Sequence, residues 1–195
     1  MNVLAWVYGL AVRLRAHAYT AGVFRSRKLP CRVISVGNVT LGGTGKTPMV
    51  VHIAGLLQKR GARPLVLSRG YGRTDETSTA VVSDGVHVLL GPTAAGDEPV
   101  LIANRLATLP VVVGRDRYDA GSVALRRFDS DCIILDDGFQ HIRLARDLNI
   151  ALVDGSDPFG SGKLFPAGIL REPLSALKRA QAVVVTRADE CRDLV

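Results

Sequence analysis

Residues 37–48 read Gly-Asn-Val-Thr-Leu-Gly-Gly-Thr-Gly-Lys-Thr-Pro, a spacing of small residues, one lysine and one hydroxyl that suits a phosphate chain. Glycines let consecutive backbone N–H groups curl around phosphate oxygens, while Lys46 supplies a cation to the β and γ phosphates and Thr47 a hydroxyl to Mg²⁺. The nucleotide-binding candidates are Thr40, Gly42, Gly43, Thr44, Gly45, Lys46 and Thr47. The consensus phosphate loop has glycine where this chain has Thr40, with flexibility supplied instead by Gly42 and Gly43. The bland alternative is a glycine-rich turn before a helix.

A triphosphate also needs a carboxylate on the metal side, at the end of a second buried strand. Cys132-Ile133-Ile134-Leu135-Asp136-Asp137-Gly138 supplies one. The reading puts Asp136 on Mg²⁺ and Asp137 in catalysis, the two exchanging roles if the strand runs one residue longer. An Asp-Gly turn after a strand is the alternative.

These motifs need elements to hold them apart. Short β-branched runs at 32–36, 64–68, 110–113, 132–135, 150–153 and 182–186 alternate with helical patterns at about 48–60, 98–108, 116–128 and 173–180. That alternation predicts an α/β fold with a doubly wound, mainly parallel sheet. Ser83-Asp84-Gly85 between two apolar runs predicts a β-hairpin inserted at 80–90. Two regions follow: residues 1–28 as an N-terminal amphipathic helix with a basic linker, and 29–195 as a phosphate-loop (P-loop NTPase) core.

Composition bounds the rest. The 195 residues are 47% hydrophobic and 22% charged, which excludes disordered, collagen-like and coiled-coil classes. Cys31, Cys132 and Cys191 are widely spaced and odd in number, so neither a disulfide framework nor a zinc site is expected. Residues 1–74 hold 12 of the 25 Lys and Arg and no Asp or Glu, leaving 13 basic against 18 acidic residues for 75–195. Such a one-sided field attracts phosphate or an anionic membrane. Nucleic acid is not expected as a partner, since the basic residues are scattered and only 5% of the chain is aromatic. The apolar run from Val3 to Val12 is too short to span a bilayer, and its arginines follow it rather than precede it as in a signal peptide. It reads as an interfacial helix with Trp6 and Tyr8 at headgroup depth, or as a helix docked on the core.

Five segments, G-N-V-T-L-G-G-T-G-K-T-P, R-G-Y-G-R, G-D-E-P, D-D-G-F-Q-H and L-F-P-A-G-I-L-R-E-P, occur in the order found in one family. The chain resembles the tetraacyldisaccharide 4′-kinases, and the resemblance runs its whole length. It implies transfer of the γ-phosphate of ATP, with Mg²⁺, to the 4′-hydroxyl of a tetraacylated glucosamine disaccharide, the lipid A precursor, at the cytoplasmic face of the bacterial inner membrane. It implies Asp97 as general base on the acceptor, with a helix cap as the alternative. Tyr71, Arg117, His141 and Arg171 become candidates for substrate contact. Their alternatives are a glycine-rich turn with a partly buried ring, a solvated helical turn shared with Arg115, a structural histidine, and an Arg171–Glu172 pair. Family members are longer, with a further α/β portion whose histidine is thought to partner the catalytic aspartate, so the chain reads as an N-terminal portion expected to transfer phosphate poorly alone.

Three other readings stay open. Thr186-Arg187-Ala188-Asp189 is similar to the N/T-K-x-D strand end whose aspartate reads guanine in GTPases, with arginine for lysine. A kinase acting on a soluble acceptor and a module that binds nucleotide without turnover complete the set.

Overall fold

A computed structural model describes residues 3–190. Seven strands form one sheet in the spatial order β3-β4-β2-β5-β1-β6-β7: β1 Arg32–Asn38, β2 Pro64–Ser68, β3 Ala80–Asp84, β4 Pro110–Val113, β5 Cys132–Asp136, β6 Leu148–Asp154 and β7 Ala182–Thr186. All neighbouring pairs are parallel except β3 with β4. The central strands are continuous apolar runs because both faces are covered, and β2 and β5 are buried at every position. Pro64 and Pro110 each stand first in their strands, where a missing N–H costs no internal ladder bond.

The helices are α1 Val3–Thr20, α2 Lys46–Lys59, the single turn α3 Pro92–Ala95, α4 Asp97–Arg105 and α5 Arg117–Arg127. On one face of the sheet Val50 and Ala54 of α2 and Ile102 and Ala103 of α4 pack on Val36, Val66, Val111 and Ile134. On the other, Ala120 and Ala124 of α5 pack with Leu29 and Leu144 on Leu65, Leu67, Ile133 and Leu135. The sheet is therefore doubly wound, as the alternation of patterns predicts. A third, smaller cluster of Val39, Phe139, Ala151, Leu170 and Ala176 lies under the phosphate loop.

Three local expectations change. The α4 pattern stops at Arg105, because Leu106 and Leu109 turn inward and the chain must straighten into Pro110. The stretch at 173–180 folds as a 3-10 helix, Leu174–Arg179, a short connector that buries only Ala176. At 80–90 the chain does fold back, with Leu89 N–H donating to the Val82 carbonyl at 2.7 Å, but the second arm is limited to an isolated Ser83–Val88 bridge and β3 spends its pairing on β4.

Helix α1 lies against the segment 164–171. The Tyr8 hydroxyl donates to the Arg171 carbonyl at 2.7 Å, the Tyr8 ring meets Phe165 edge-on, and Gly9 faces Leu164 so closely that a Cβ would come within 2.7 Å of it. Val3, Leu4, Trp6, Val7, Leu10 and Leu14 stay exposed. The linker is stitched to the core by the Ser26 hydroxyl, which donates to the Ile142 carbonyl at 2.6 Å, and by an Arg27–Leu144 bridge. No helix among the described residues is long and apolar enough to cross a membrane.

Candidate active site

In open α/β sheets ligands gather at the carboxyl ends of the strands, and the polar residues of this chain gather there. Strand β1 ends at Asn38 and the loop that follows enters α2 at Lys46. Gly45 is the residue before α2, in the left-handed conformation with φ 78°, and no side chain caps the helix, so its first N–H groups face outward without protein acceptors. Gly42, at φ 111°, also requires glycine.

Thr40, the departure from consensus, is explained by its surroundings. The downstream segment crosses the loop: Leu41 N–H donates to the Ile169 carbonyl and Arg171 N–H to the Val39 carbonyl, both at 2.7 Å, with Thr40 and Leu170 bridged antiparallel. Thr40 is buried, and its Oγ1 accepts from Asn38 Nδ2 at 3.1 Å. A residue in an extended bridge has no need of glycine. Its hydroxyl oxygen accepts one hydrogen bond from within the protein. Thr44 is buried with Oγ1 unpartnered, and Thr47 is half-buried at the start of α2.

The register Val36 opposite Asp136 puts the second carboxylate motif beside the loop. Asp136 is 1% exposed and accepts from Ser68 Oγ, at the end of β2, at 3.0 Å. Its other oxygen is buried with no partner. Burial pushes its pKa up to about 6, the Ser68 hydrogen bond opposing this and the charges of Glu98 and Asp137 adding to it. An unpartnered buried carboxylate oxygen, at the end of the strand beside the one that leads into the phosphate loop, is a donor suited to a Mg²⁺ shared with phosphate oxygens, since Mg²⁺ takes one or two carboxylates and completes its shell from waters and phosphates.

Asp137 occupies the left-handed region at φ 49°, forced by the tight turn in which Gly138 N–H donates to the Val36 carbonyl. A Cβ on Gly138 would come within 2.6 Å of Leu135 Cβ. Both carboxylate oxygens of Asp137 accept from Arg171 Nη1, at 2.8 and 2.9 Å, and Lys46 Nζ stands 4.0 Å away while donating to the Gly42 carbonyl at 3.3 Å. Arg171 therefore pairs with Asp137 and not with Glu172, which is buried and bound to Arg179.

Beyond Asp137 opens a cleft of about 350 Å³ lined by Arg15, Arg69, Arg115, Arg117, Arg143 and Arg171, with Gln140 and His141. Arg117 is not on a solvated turn: at 5% exposure it opens α5, donates Nη1 to the Arg115 carbonyl at 3.1 Å and leaves Nε buried without a partner. Burial and the nearby Arg69 lower its pKa to about 10, so it stays charged. The α5 cap is Asp116, accepting from Tyr118 and Asp119 N–H. His141 is held neutral, its pKa lowered to about 4 by burial and then by Arg117. It belongs to this arginine cleft, away from the carboxylate that would hold metal.

Asp97 is exposed at the first position of α4. Gly96, and not Asp97, occupies the cap position, with φ 91° and no side-chain cap bond, so the helix-cap alternative does not hold. Its neighbour Glu98 is the residue whose charge reaches Asp136. Tyr71 is 77% exposed, contrary to a partly buried ring, on a loop whose Gly70 packs closely on the Ala95 carbonyl, whose Tyr71 carbonyl faces Gly96, and whose Arg73 is buried and donates to the Ser78 carbonyl. Sequence reasoning missed Ser68, Glu98, Arg15, Arg69, Arg143 and Gln140, whose Nε2 donates to the Asn38 carbonyl at 2.7 Å. Only Ser68 carries a local signal, a polar end to an apolar strand.

Comparison with known proteins bears on the fold and the family. The family described as Tetraacyldisaccharide-1-P 4′-kinase matches residues 1–194. The chain is 58% identical over 187 residues to the tetraacyldisaccharide 4′-kinase of Geobacter metallireducens, covering 96% of this chain and 55% of that one. It is 55% identical to that of Geobacter sulfurreducens, covering 96% and 53%. The crystal structure of LpxK from Aquifex aeolicus in complex with ATP superposes with TM-score 0.89 at 42% identity, over 95% of this chain and 57% of that one. The chain spans about half the length of the curated relatives it matches.

The raised pKa of Asp136 has a measurable consequence. A carboxyl whose folded pKa of about 6 exceeds its unfolded value of ~3.9 contributes stability that is full below the unfolded value and is lost as pH rises through the folded one. Asp136→Asn carries no such penalty. In metal-free buffer the variant should therefore gain on the wild type by up to about 3 kcal/mol between pH 4 and 6, read from urea unfolding at each pH. A pH-independent difference would refute the assignment. This sheet, phosphate loop and sequence kinship place the chain in the tetraacyldisaccharide-1-P 4′-kinase family.

Proposed function

We propose that the chain carries the nucleotide site and the acceptor-side base of a kinase that moves the γ-phosphate of Mg·ATP to the 4′-hydroxyl of a tetraacyldisaccharide 1-phosphate. The observation that carries this reading is the uncapped amide cradle of α2 facing the buried Asp136 across paired strands β1 and β5, with an arginine-lined cleft opening on the far side of Asp137.

In this reading the N–H groups of residues 42–47 hold the phosphate oxygens and Lys46 neutralises the β and γ phosphates. Thr47 and Asp136 hold Mg²⁺, which when bound offsets charge on the triphosphate. Asp137 is fixed by Arg171 and aligns Lys46 with the phosphoryl group in flight. Asp97 takes the proton of the sugar hydroxyl as its oxygen bonds to the γ-phosphorus, and the bond from that phosphorus to the β–γ bridging oxygen breaks to release ADP. A phosphate on a sugar is a dianion at neutral pH, and a cleft of six arginines around a neutral histidine suits it. Arg117, Arg171 and His141 then contact the polar head, with the exposed Tyr71 a further contact in this reading. The acyl chains need a lipid phase. The exposed apolar residues of α1, with Arg13, Arg25, Arg27 and Lys28 nearby in the sequence, fit adsorption to the anionic cytoplasmic leaflet of the inner membrane.

Lys46→Ala should weaken Mg·ATP binding by ~1.5–3 kcal/mol in calorimetry, the range for a hydrogen bond to a charged group; equal affinities would remove the phosphate loop from the reading. In a chain of the relatives' full length, given labelled ATP and tetraacyldisaccharide, label should enter the lipid phase. Asp97→Asn should slow that transfer ~10²–10⁴-fold with ATP affinity and melting temperature held. Unchanged turnover would place the base elsewhere. Deleting residues 1–24 should release the chain from anionic vesicles in cosedimentation, as should high salt. Retention after the deletion would show that α1 only packs.

A further inference from the structure

The two aromatic residues near the start of α1 face opposite ways. Positions two apart on a helix of 3.6 residues per turn lie on opposite sides, and Trp6 is 59% exposed while Tyr8 turns to the core. A tyrosine on a membrane-facing helix would keep its hydroxyl for the headgroup layer. Here the hydroxyl is engaged inside the protein, on the Arg171 carbonyl at 2.7 Å. The edge-on contact with Phe165 holds the ring, and Gly9 lets the helix close on Leu164. Burial raises the phenol pKa above its ordinary value, the Arg171 charge opposing it, so the hydroxyl stays a donor. Two turns further along α1, Arg15 Nη2 donates to the Gln140 carbonyl at 3.2 Å, and Gln140 Nε2 donates to the Asn38 carbonyl at 2.7 Å, where β1 ends. One face of α1 is thus joined to the site at two places.

Arg171 is held at three points. Its N–H donates to the Val39 carbonyl at 2.7 Å, its own carbonyl accepts from Tyr8, and its guanidinium meets both oxygens of Asp137, which stands 4.0 Å from Lys46 Nζ. Each peptide unit is planar, so pinning the units on either side of one Cα sets φ and ψ there and with them the direction in which the side chain leaves the backbone. We propose that Tyr8 is a positioning residue for phosphoryl transfer that acts through Arg171: its hydroxyl holds the backbone whose guanidinium sets Asp137 beside Lys46. The helix whose outer face fits a membrane surface then completes the site with its inner face, and seating of α1 is a condition for turnover. The segment has an independent anchor in the buried Glu172, paired with Arg179, whose guanidinium lies 4.8 Å from the centre of the Phe139 ring. Loss of one hydroxyl therefore leaves the segment attached and loosens only the aim of Arg171. The inference rests on the proposed function, in which Asp137 and Lys46 act on the phosphoryl group.

Kinetics on a chain of the relatives' full length, with labelled ATP and tetraacyldisaccharide dispersed in detergent so that adsorption to a bilayer does not limit the rate, test it. Tyr8→Phe keeps the ring against Phe165 and removes only the hydroxyl. It should lower kcat about tenfold, the weight of one hydrogen bond, with KM for ATP, melting temperature and cosedimentation with anionic vesicles all held. Arg171→Ala should lower kcat by itself, and adding Tyr8→Phe to it should lower kcat no further, because no guanidinium remains to be aimed. The assignment is overturned if Tyr8→Phe leaves kcat unchanged, if kcat falls only together with melting temperature or vesicle binding, or if its full effect persists in the Arg171→Ala background. Absence of any labelled lipid from the wild type would instead bring down the kinase reading, and this inference with it.

Discussion

The parallel pairing of β1 with β5 sets the one distance on which the site depends. Val36 lies opposite Asp136, and from that rung β1 runs on through Gly37 and Asn38 into the phosphate loop while β5 ends in two carboxylates. The turn after β5 can close over β1 because Gly37 has no side chain: a Cβ there would come within 2.7 Å of Phe139 Cβ and 2.8 Å of its N–H nitrogen. A one-residue slip in register would exchange Asp136 for Leu135 or Asp137 and turn the opposite face of β5 toward the site, since successive strand residues face opposite sides. The buried apolar runs of both strands make that slip costly, so the core fixes the chemistry above it.

Charge is arranged around this rung in layers. Asp136 is dry and poorly satisfied, Asp137 is saturated by Arg171, and the next layer out is almost wholly cationic. An isolated cluster of arginines repels itself, and several of these are tied to carbonyls or acids: Arg15 to the Gln140 carbonyl, Arg117 to that of Arg115, Arg143 to Asp116. The buried Nε of Arg117 without a partner marks where that compensation is incomplete, and His141, its pKa lowered by burial first and then by Arg117, adds no further positive charge. Such a site is strained when alone and relieved by an anion, which is the condition for binding energy to be drawn from preorganisation.

Legibility in the sequence follows the range of the interaction. The phosphate loop and Asp136 are readable because each is a local pattern, small residues with a lysine or an acid ending an apolar run. The strands are readable for the same reason: six fall on the six β-branched runs and β3 on the first arm of the expected hairpin. The arginine cleft is not, because Arg15, Arg69, Arg115, Arg143 and Arg171 come from separate segments and only the fold brings them together. The tolerance for Thr40 is equally hidden, as it depends on the crossing of residues 169–171. Where local rules mislead, as for Asp97 as a cap or 173–180 as an α-helix, a neighbouring glycine or a short connection between buried elements overrides propensity.

The crossing of the loop by residues 169–171 also bears on how the molecule is made. Its hydrogen bonds join the first strand's exit to a segment well over a hundred residues later in the sequence, and so nonlocal a closure is met late, after much of the intervening sheet has formed. A nascent chain that has passed the ribosome only as far as β5 carries the whole phosphate-loop sequence without the strap that shapes it. The finished shape of the loop is thus a late property in biogenesis, acquired when the strap docks, and a nucleotide that binds only the finished loop favours the docked strap by mass action.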